Sequence, residues 1–224
     1  MRRWLMLLLL AGCGAVDYQA APVGRFDGAL FVMWVGETQA GAGDGRFVFV
    51  PSKDPLTFTR MNPDGTAGQV IAPGMMYTDG GSIPQVAQVF RGFSPWGYAP
   101  AYMVHDWLFQ AHRCVTDGQA TEQEQAVAAI GFADSATILA ESIKTLIADN
   151  KVQPDDLAPA TISSVVAGPL SRQLWEVTGA CAASRISPDH LDQIRRALPG
   201  LVTAKRLAPL KAGPKAQIVA TVSF

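Results

Sequence analysis

The pattern of this chain changes from strand to helix at residues 99–112, which read APAYMVHDWLFQAH. Pro100 suits the first turn of a helix, where its missing N–H is not needed, and helix-forming and aromatic residues follow it. Upstream, residues 29–35 and 46–50 have the composition of strands, and a strong turn signal occurs at 62–65. Strands first and helices after predict an α+β fold, with a small antiparallel sheet in the first half followed by packed helices.

Helix signals dominate downstream of this stretch. Thr121 and Glu124 have the spacing of a capping box, which predicts a long helix from there to about residue 149. After a proline-containing break, further helices are expected over residues 169–178 and 188–198, and residues 216–224 could return as an edge strand. We therefore expect one α+β domain over residues 25–150 and a helical extension over 151–224 that could end in a strand.

The first 24 residues have the pattern of a lipoprotein leader. Arg2 and Arg3 precede a short apolar run, too short to span a bilayer but as long as the core of a signal peptide. The run ends in Leu-Ala-Gly-Cys at residues 10–13, which resembles a bacterial lipobox and implies cleavage before Cys13 and lipid attachment to its thiol. We expect a signal peptide over residues 1–12, a tether over 13–24, and membrane anchoring through the lipid. An ordinary secretory signal is the alternative. Gly14 favours the outer membrane, facing the periplasm.

Composition restricts the class of protein. The chain has 224 residues, 49% hydrophobic and 17% charged, which predicts a sizeable core. Its net charge of -1 gives no basic surplus for a phosphate backbone, so nucleic acid is not expected as a partner, and no protein partner is indicated. Cys114 and Cys181 remain once Cys13 is lipidated. In an oxidising compartment this pair predicts a disulfide, with two buried free thiols as the alternative.

Three acids and a histidine stand out because of where they occur. The stretch quoted above is apolar almost all round and should be buried, yet His105 and Asp106 lie in its middle. Burial costs such side chains free energy unless they are paired. Asp134 has helical spacing with apolar residues before and after it, so we expect it to face the core and reach His105 or Asp106. Asp79, in a glycine-rich loop, could join them or bond only its own turn.

These motifs resemble a known family. The chain has Thr-Asp-Gly-Gly-Ser-Ile-Pro at residues 78–84, then His-Asp-Trp-Leu-Phe at 105–109, then Asp134 on a later helix. This order is similar to that of the bacterial and phage family known as domain of unknown function 1353, over about residues 27–145. Gly81 and Phe109 replace the family's usual Ala and Tyr. No activity is established for the family, so the resemblance implies a fold and a site but no reaction.

A second, weaker resemblance suggests a chemistry. A helix carrying His-Asp, with an Asp on a second helix and a glycine-rich loop, is similar to secreted calcium-dependent phospholipases, although their flanking cysteines are missing here. It implies His105 as the base, Asp106 as a Ca²⁺ ligand and Asp134 as the acid that orients the histidine. We therefore expect one of two functions. The first is a hydrolase in which Asp134 or Asp79 orients His105. The second is a non-catalytic structural or interaction lipoprotein, in which the cluster is a buried network. An open pocket lined by His105 would favour chemistry.

The remaining histidines lack a supporting motif. His112 is expected near the end of its helix, and His190 is expected on the surface in the first turn of a later helix. Glu141 could be a partly buried partner of another group or a solvated side chain. No zinc-protease motif, nucleophile elbow or phosphate loop occurs in the sequence.

Overall fold

The computed structural model describes residues 16–36, 45–78, 98–152, 163, 166–201 and 215–224. The strands are β1 Arg25–Asp27, β2 Ala29–Gly36, β3 Gly45–Pro51, β4 Thr57–Met61, β5 Ala67–Ile71, β6 Met76–Thr78 and β7 Gln217–Ser223. The helices are α1 Ala99–Thr116, α2 Glu122–Gln125, α3 Phe132–Ala148, α4 Pro169–Trp175, α5 Cys181–Ser184 and α6 Pro188–Ala197. Early strands followed by helices confirm the predicted α+β class.

The strands form two antiparallel sheets, with the orders β1-β4-β5 and β6-β3-β2-β7. β7 pairs with β2 and places Val222 opposite Leu30. The last strand of the chain therefore belongs to the sheet of the first half, although the sequence assigned it to a separate extension. The larger sheet therefore contains strands from both sides of the boundary expected at residue 150.

Both faces of the larger sheet are buried. Leu30 and Val32 of β2 pack into the main core with α1 and α3, whereas Met33 and Val35 join Ile194 of α6 in a second cluster. The pairing of β2 with β7 shifts register between Val32 and Met33. Because both faces are covered, β2 is apolar at nearly every position instead of at alternate ones.

Helix α1 forms the centre of the main core and carries the candidate site. Its Met103, Val104 and Leu108 are at most 1% exposed, as the apolar sequence predicts. A disulfide joins Cys114 of α1 to Cys181 of α5, with the two Cα atoms 4.7 Å apart. The C-terminal part of α1 is therefore held covalently against the helices that follow it.

The long helix expected after Thr121 is interrupted. The capping box is present, since Glu124 accepts a hydrogen bond from the Thr121 backbone N–H at 2.8 Å and Thr121 accepts one from Glu124. However, α2 ends at Gln125, and α3 begins only after its N-cap residue Gly131. The prediction of one continuous helix was wrong because the turn between α2 and α3 resets the helical phase. Asp134 therefore does not continue the apolar stripe that precedes it.

Residues 16–24, expected as a tether, pack against α3. The Lys144 ammonium donates to the carbonyl oxygens of Gln19 and Ala21, at 2.6 and 2.7 Å. The hydroxyl of Thr145 accepts a hydrogen bond from the Gly24 N–H at 2.7 Å, and Ala21 is only 5% exposed. This segment is part of the folded domain.

Candidate functional site

A pocket of about 540 Å³ lies where β3 and β6 meet α1, α4 and α5. Helix α1 contributes His105, Asp106 and Arg113 to its wall, and β3 and β6 contribute Arg46 and Thr78. Its volume falls in the range of small-molecule sites, roughly 300–1,000 Å³. The structure therefore places the His-Asp pair, singled out in the sequence, in the wall of a pocket.

His105 is buried, but one of its ring nitrogens has no partner. The residue is 4% exposed, and its ring packs against Phe109 with the ring centres 4.7 Å apart. Nδ1 lies 3.8 Å from Oδ1 of Asp106. Nε2 is buried and has no hydrogen-bond partner among the described residues. An unsatisfied buried polar atom costs about 1–3 kcal/mol, so Nε2 is a group that a ligand could satisfy.

Asp106 is held in place from the sheet side. Its Oδ2 accepts a hydrogen bond from the Thr78 hydroxyl at 3.3 Å. Tyr102, one turn earlier on α1, has a buried hydroxyl with no partner in the described part of the chain. Burial, together with the nearby Tyr98 and Asp106, raises the pKa of Tyr102 above its ordinary value. Tyr102 therefore keeps its proton and stays neutral.

Asp134 lies in a different cluster from His105. Its Oδ2 pairs with Arg60 of β4 at 3.0 Å, and its side chain is 43% exposed. Arg60 also forms two hydrogen bonds with Glu141, at 2.7 and 2.8 Å. Bonding to Glu141 is the main cause that raises the pKa of Arg60. The prediction that Asp134 reaches His105 or Asp106 was wrong, because the break before α3 directs Asp134 toward Arg60 of β4.

Two of the expected functional residues cannot be placed. Asp79, with the rest of the glycine-rich loop, lies outside the described residues, as does Cys13. Among the residues that are described, no group of three or more His, Cys, Asp or Glu side chains is placed to hold a metal ion. Calcium takes six to eight oxygen ligands. The loop that was expected to supply further oxygen ligands beside Asp106 lies outside the described residues from Asp79 onward, so the calcium site stays a prediction.

The sequence did not point to the network beneath the pocket. Glu124 is 0% exposed and accepts hydrogen bonds from Arg185 at 2.8 Å and from Gln110 at 3.2 Å, in addition to its capping contacts. Burial raises the pKa of its carboxyl, but the bonds from Arg185, Thr121 and Gln110 outweigh burial, so the pKa of Glu124 is lowered. Because Gln110 lines the pocket, this network fixes one wall of the site.

A second histidine supports another part of the pocket wall. The guanidinium of Arg46 lies 3.5 Å above the ring of Tyr77. The hydroxyl of Tyr77 is 2.8 Å from Nδ1 of His190 and accepts a hydrogen bond from the Ser187 N–H at 2.9 Å. His190 is 3% exposed, so its expected surface position was wrong. Its ring contacts Tyr77 of β6, and no local sequence pattern around His190 indicates that contact.

Comparison of the chain with protein-family models, with curated proteins and with solved structures returns no significant match. The resemblances to domain of unknown function 1353 and to the phospholipases therefore stay predictions. Within the described ranges, no helix has the length and apolar character needed to cross a bilayer.

Proposed function

We propose that this protein is a lipid-anchored hydrolase of the bacterial envelope, with its active site in the pocket beside His105. The observation that carries the proposal is the position of that histidine. It lies in the pocket wall, with the Asp106 carboxylate facing Nδ1 and with Nε2 unpartnered among the described residues. A histidine positioned by a carboxylate is the usual arrangement of a general base.

The roles follow from the two ring nitrogens. Asp106, held by Thr78, favours the tautomer that carries its proton on Nδ1, which leaves Nε2 free to accept a proton from a water molecule or a substrate hydroxyl. The 3.8 Å separation is longer than a hydrogen bond, and catalytic contacts of this kind often shorten when substrate binds. In this proposal Asp106 takes the orienting role that was expected of Asp134 or Asp79.

The leader pattern supports the lipid anchor. The short distance along the chain from Cys13 to the folded domain limits how far the domain can lie from the membrane. Two residues, Gly14 and Ala15, separate Cys13 from Val16, the first described residue, and the segment after Val16 packs on α3. The three Cα-to-Cα steps from Cys13 to Val16 span at most about 11 Å. A lipid on Cys13 would therefore hold the domain close to the bilayer surface. Replacing Cys13 with Ala should move the full-length protein from the detergent phase to the aqueous phase in phase separation, and unchanged partitioning would refute the anchor.

Hydrolysis is tested with a matched pair of histidine variants. Wild type, His105→Gln and His112→Gln should be assayed against panels of carboxylic and phosphate esters. His112 is on the same helix and stacks on Trp175, 4.2 Å between ring centres. We expect His105→Gln to lose about a hundredfold or more in kcat/KM, the usual contribution of a general base, while His112→Gln keeps most activity. Equal losses in both variants, at equal folded fractions, would refute the role of His105.

A non-catalytic interaction lipoprotein is the second candidate. It is favoured by the burial of Nε2, because a working base must reach the reactant. In that case wild type hydrolyses none of the esters, and His105→Gln changes only the unfolding midpoint.

A further inference from the structure

The pocket contains two arginines that have no acidic partner among the described residues. Arg46 and Arg113 both line it, and Asp106 is the one acid among its described lining residues. Neither arginine forms an ion pair within the described part of the chain. Other described arginines do pair with a carboxylate: Arg25, Arg60, Arg172, Arg185 and Arg195. Two guanidinium groups without an ion pair among the described residues therefore line the same pocket.

The contacts that these two arginines do make leave donors available. Arg46 rests on the ring of Tyr77 at 3.5 Å, and its residue is exposed. Arg113 donates from Nη2 to the carbonyl oxygen of Leu174 at 3.4 Å, while its Nε is buried without a partner among the described residues. A guanidinium presents five N–H donors in a planar fork that matches phosphate and carboxylate groups. His105 Nε2 adds another unpartnered buried atom in the same pocket.

The same pocket also has an apolar side. Met76, Phe109 and Leu174 line it. Leu174 is 38% exposed, and Leu170, one turn earlier on α4, is 65% exposed, so an apolar edge continues from the lining toward solvent. His105 and Arg113 are eight residues apart on α1, which corresponds to about 12 Å along the helix axis. An elongated ligand fits a wall of this length.

We infer that the pocket binds an anionic amphiphile, whose phosphate or carboxylate group is held by Arg46 and Arg113 and whose apolar chain lies along Phe109 and Leu174. This inference rests on the proposed function, because it names the substrate class of the same pocket. It adds a charge requirement that a general base does not impose. It also joins the pocket to the membrane, where such amphiphiles occur.

Binding of simple amphiphiles to the full-length protein, purified in a neutral detergent, tests the inference. Dodecyl phosphate, dodecanoate, dodecyltrimethylammonium and inorganic phosphate would be titrated below their micelle concentrations, with heat of binding as the readout. We expect saturable binding of both dodecyl anions, none of the dodecyl cation, and inorganic phosphate at least about tenfold weaker because it lacks the chain. Equal binding of the cation and the anions would overturn the inference.

Arginine variants locate the binding. Arg46→Gln and Arg113→Gln should each weaken dodecyl phosphate binding about tenfold or more, as expected for loss of a charge-assisted hydrogen bond. Arg25→Gln, which removes an exposed arginine outside the pocket, should change nothing. Arg46 is exposed, so its variant should fold even if Arg113→Gln does not. Unchanged affinity in Arg46→Gln and in a folded Arg113→Gln would place the anion elsewhere and overturn the inference.

Two further experiments distinguish a membrane ligand from a soluble one, and anion binding from hydrolysis. If the protein extracts dodecyl phosphate from neutral phosphatidylcholine vesicles, the result supports a membrane lipid as the ligand. If hexyl phosphate binds as tightly as dodecyl phosphate, the result supports a small soluble ester. Anion binding without turnover of any ester retains the binding site and rejects the hydrolase. Turnover of neutral esters without anion binding retains the hydrolase and rejects the anionic ligand.

Discussion

Replacing Arg60 with Met should strongly destabilise the domain, because it removes the partner of a buried carboxylate. Arg60 forms hydrogen bonds of 2.7 and 2.8 Å with Glu141, and the side chain of Glu141 is only 3% exposed. Breaking a buried ion pair from one side costs about 3–5 kcal/mol. At about 2–4 °C per kcal/mol for a domain of this size, the unfolding midpoint should fall by about 6–20 °C.

The other partner of Arg60 provides the matched control. Asp134 pairs with the same guanidinium at 3.0 Å, but its side chain is 43% exposed. Asp134→Asn should therefore cost less than about 1 kcal/mol. The double variant Arg60→Met/Glu141→Leu should recover most of the stability lost in Arg60→Met, because it leaves no buried charge unpaired.

Urea unfolding, followed by tryptophan fluorescence and by circular dichroism, measures these differences. The reasoning is refuted if Asp134→Asn costs as much as Arg60→Met, or if the double variant is no more stable than the single one. The first result would mean that Asp134 stabilises the fold through contacts other than its exposed ion pair with Arg60.

Two further predictions concern the groups that fix the walls of the pocket. Replacing Cys114 and Cys181 with Ala opens a loop of sequence separation 67, which should cost about 4 kcal/mol in the loop-entropy model; an unfolding midpoint unaffected by this change or by reductant would contradict it. Folding lowers the pKa of Glu124, so the Glu124 carboxylate stabilises the folded state at pH values above its unfolded pKa of about 4.3. This stabilisation is lost as the pH falls through the pKa that Glu124 has in the folded protein. Glu124→Gln should therefore be less stable than wild type at pH 7, with a difference that narrows below about pH 4, and a difference independent of pH would refute this.

The fold class could be predicted from the sequence because its signals are local. The apolar content of residues 99–109, Pro100 in the first helical turn, and the capping box of Thr121 and Glu124 all act within a few residues, and each is present in the structure. The break before α3 was missed because a single glycine such as Gly131 is compatible both with the interior of a helix and with an N-cap position. The local sequence alone does not distinguish the two.

The candidate site could be predicted only in part. His105 and Asp106 were found because a polar pair inside an apolar helix needs an explanation. Arg46 and Tyr77 come from strands far from α1 in the sequence, and the contact of Tyr77 with His190 joins residues 113 positions apart. Such contacts depend on how the sheet and the helices pack, so no spacing rule indicates them. Asp134 is the opposite case. Its spacing in the sequence suggested a contact with His105 or Asp106, but in the folded protein it pairs with Arg60.

The most direct test of the functional pocket is nuclear magnetic resonance of the histidine ring nitrogens. The chain has three histidines, so selective ¹⁵N labelling gives few signals, and a His105→Gln sample assigns the one that matters. During titration with dodecyl phosphate, we predict a saturable shift of the His105 ring nitrogens. Saturable binding of the amphiphile that leaves the His105 signals in place would contradict the claim that this histidine faces the ligand.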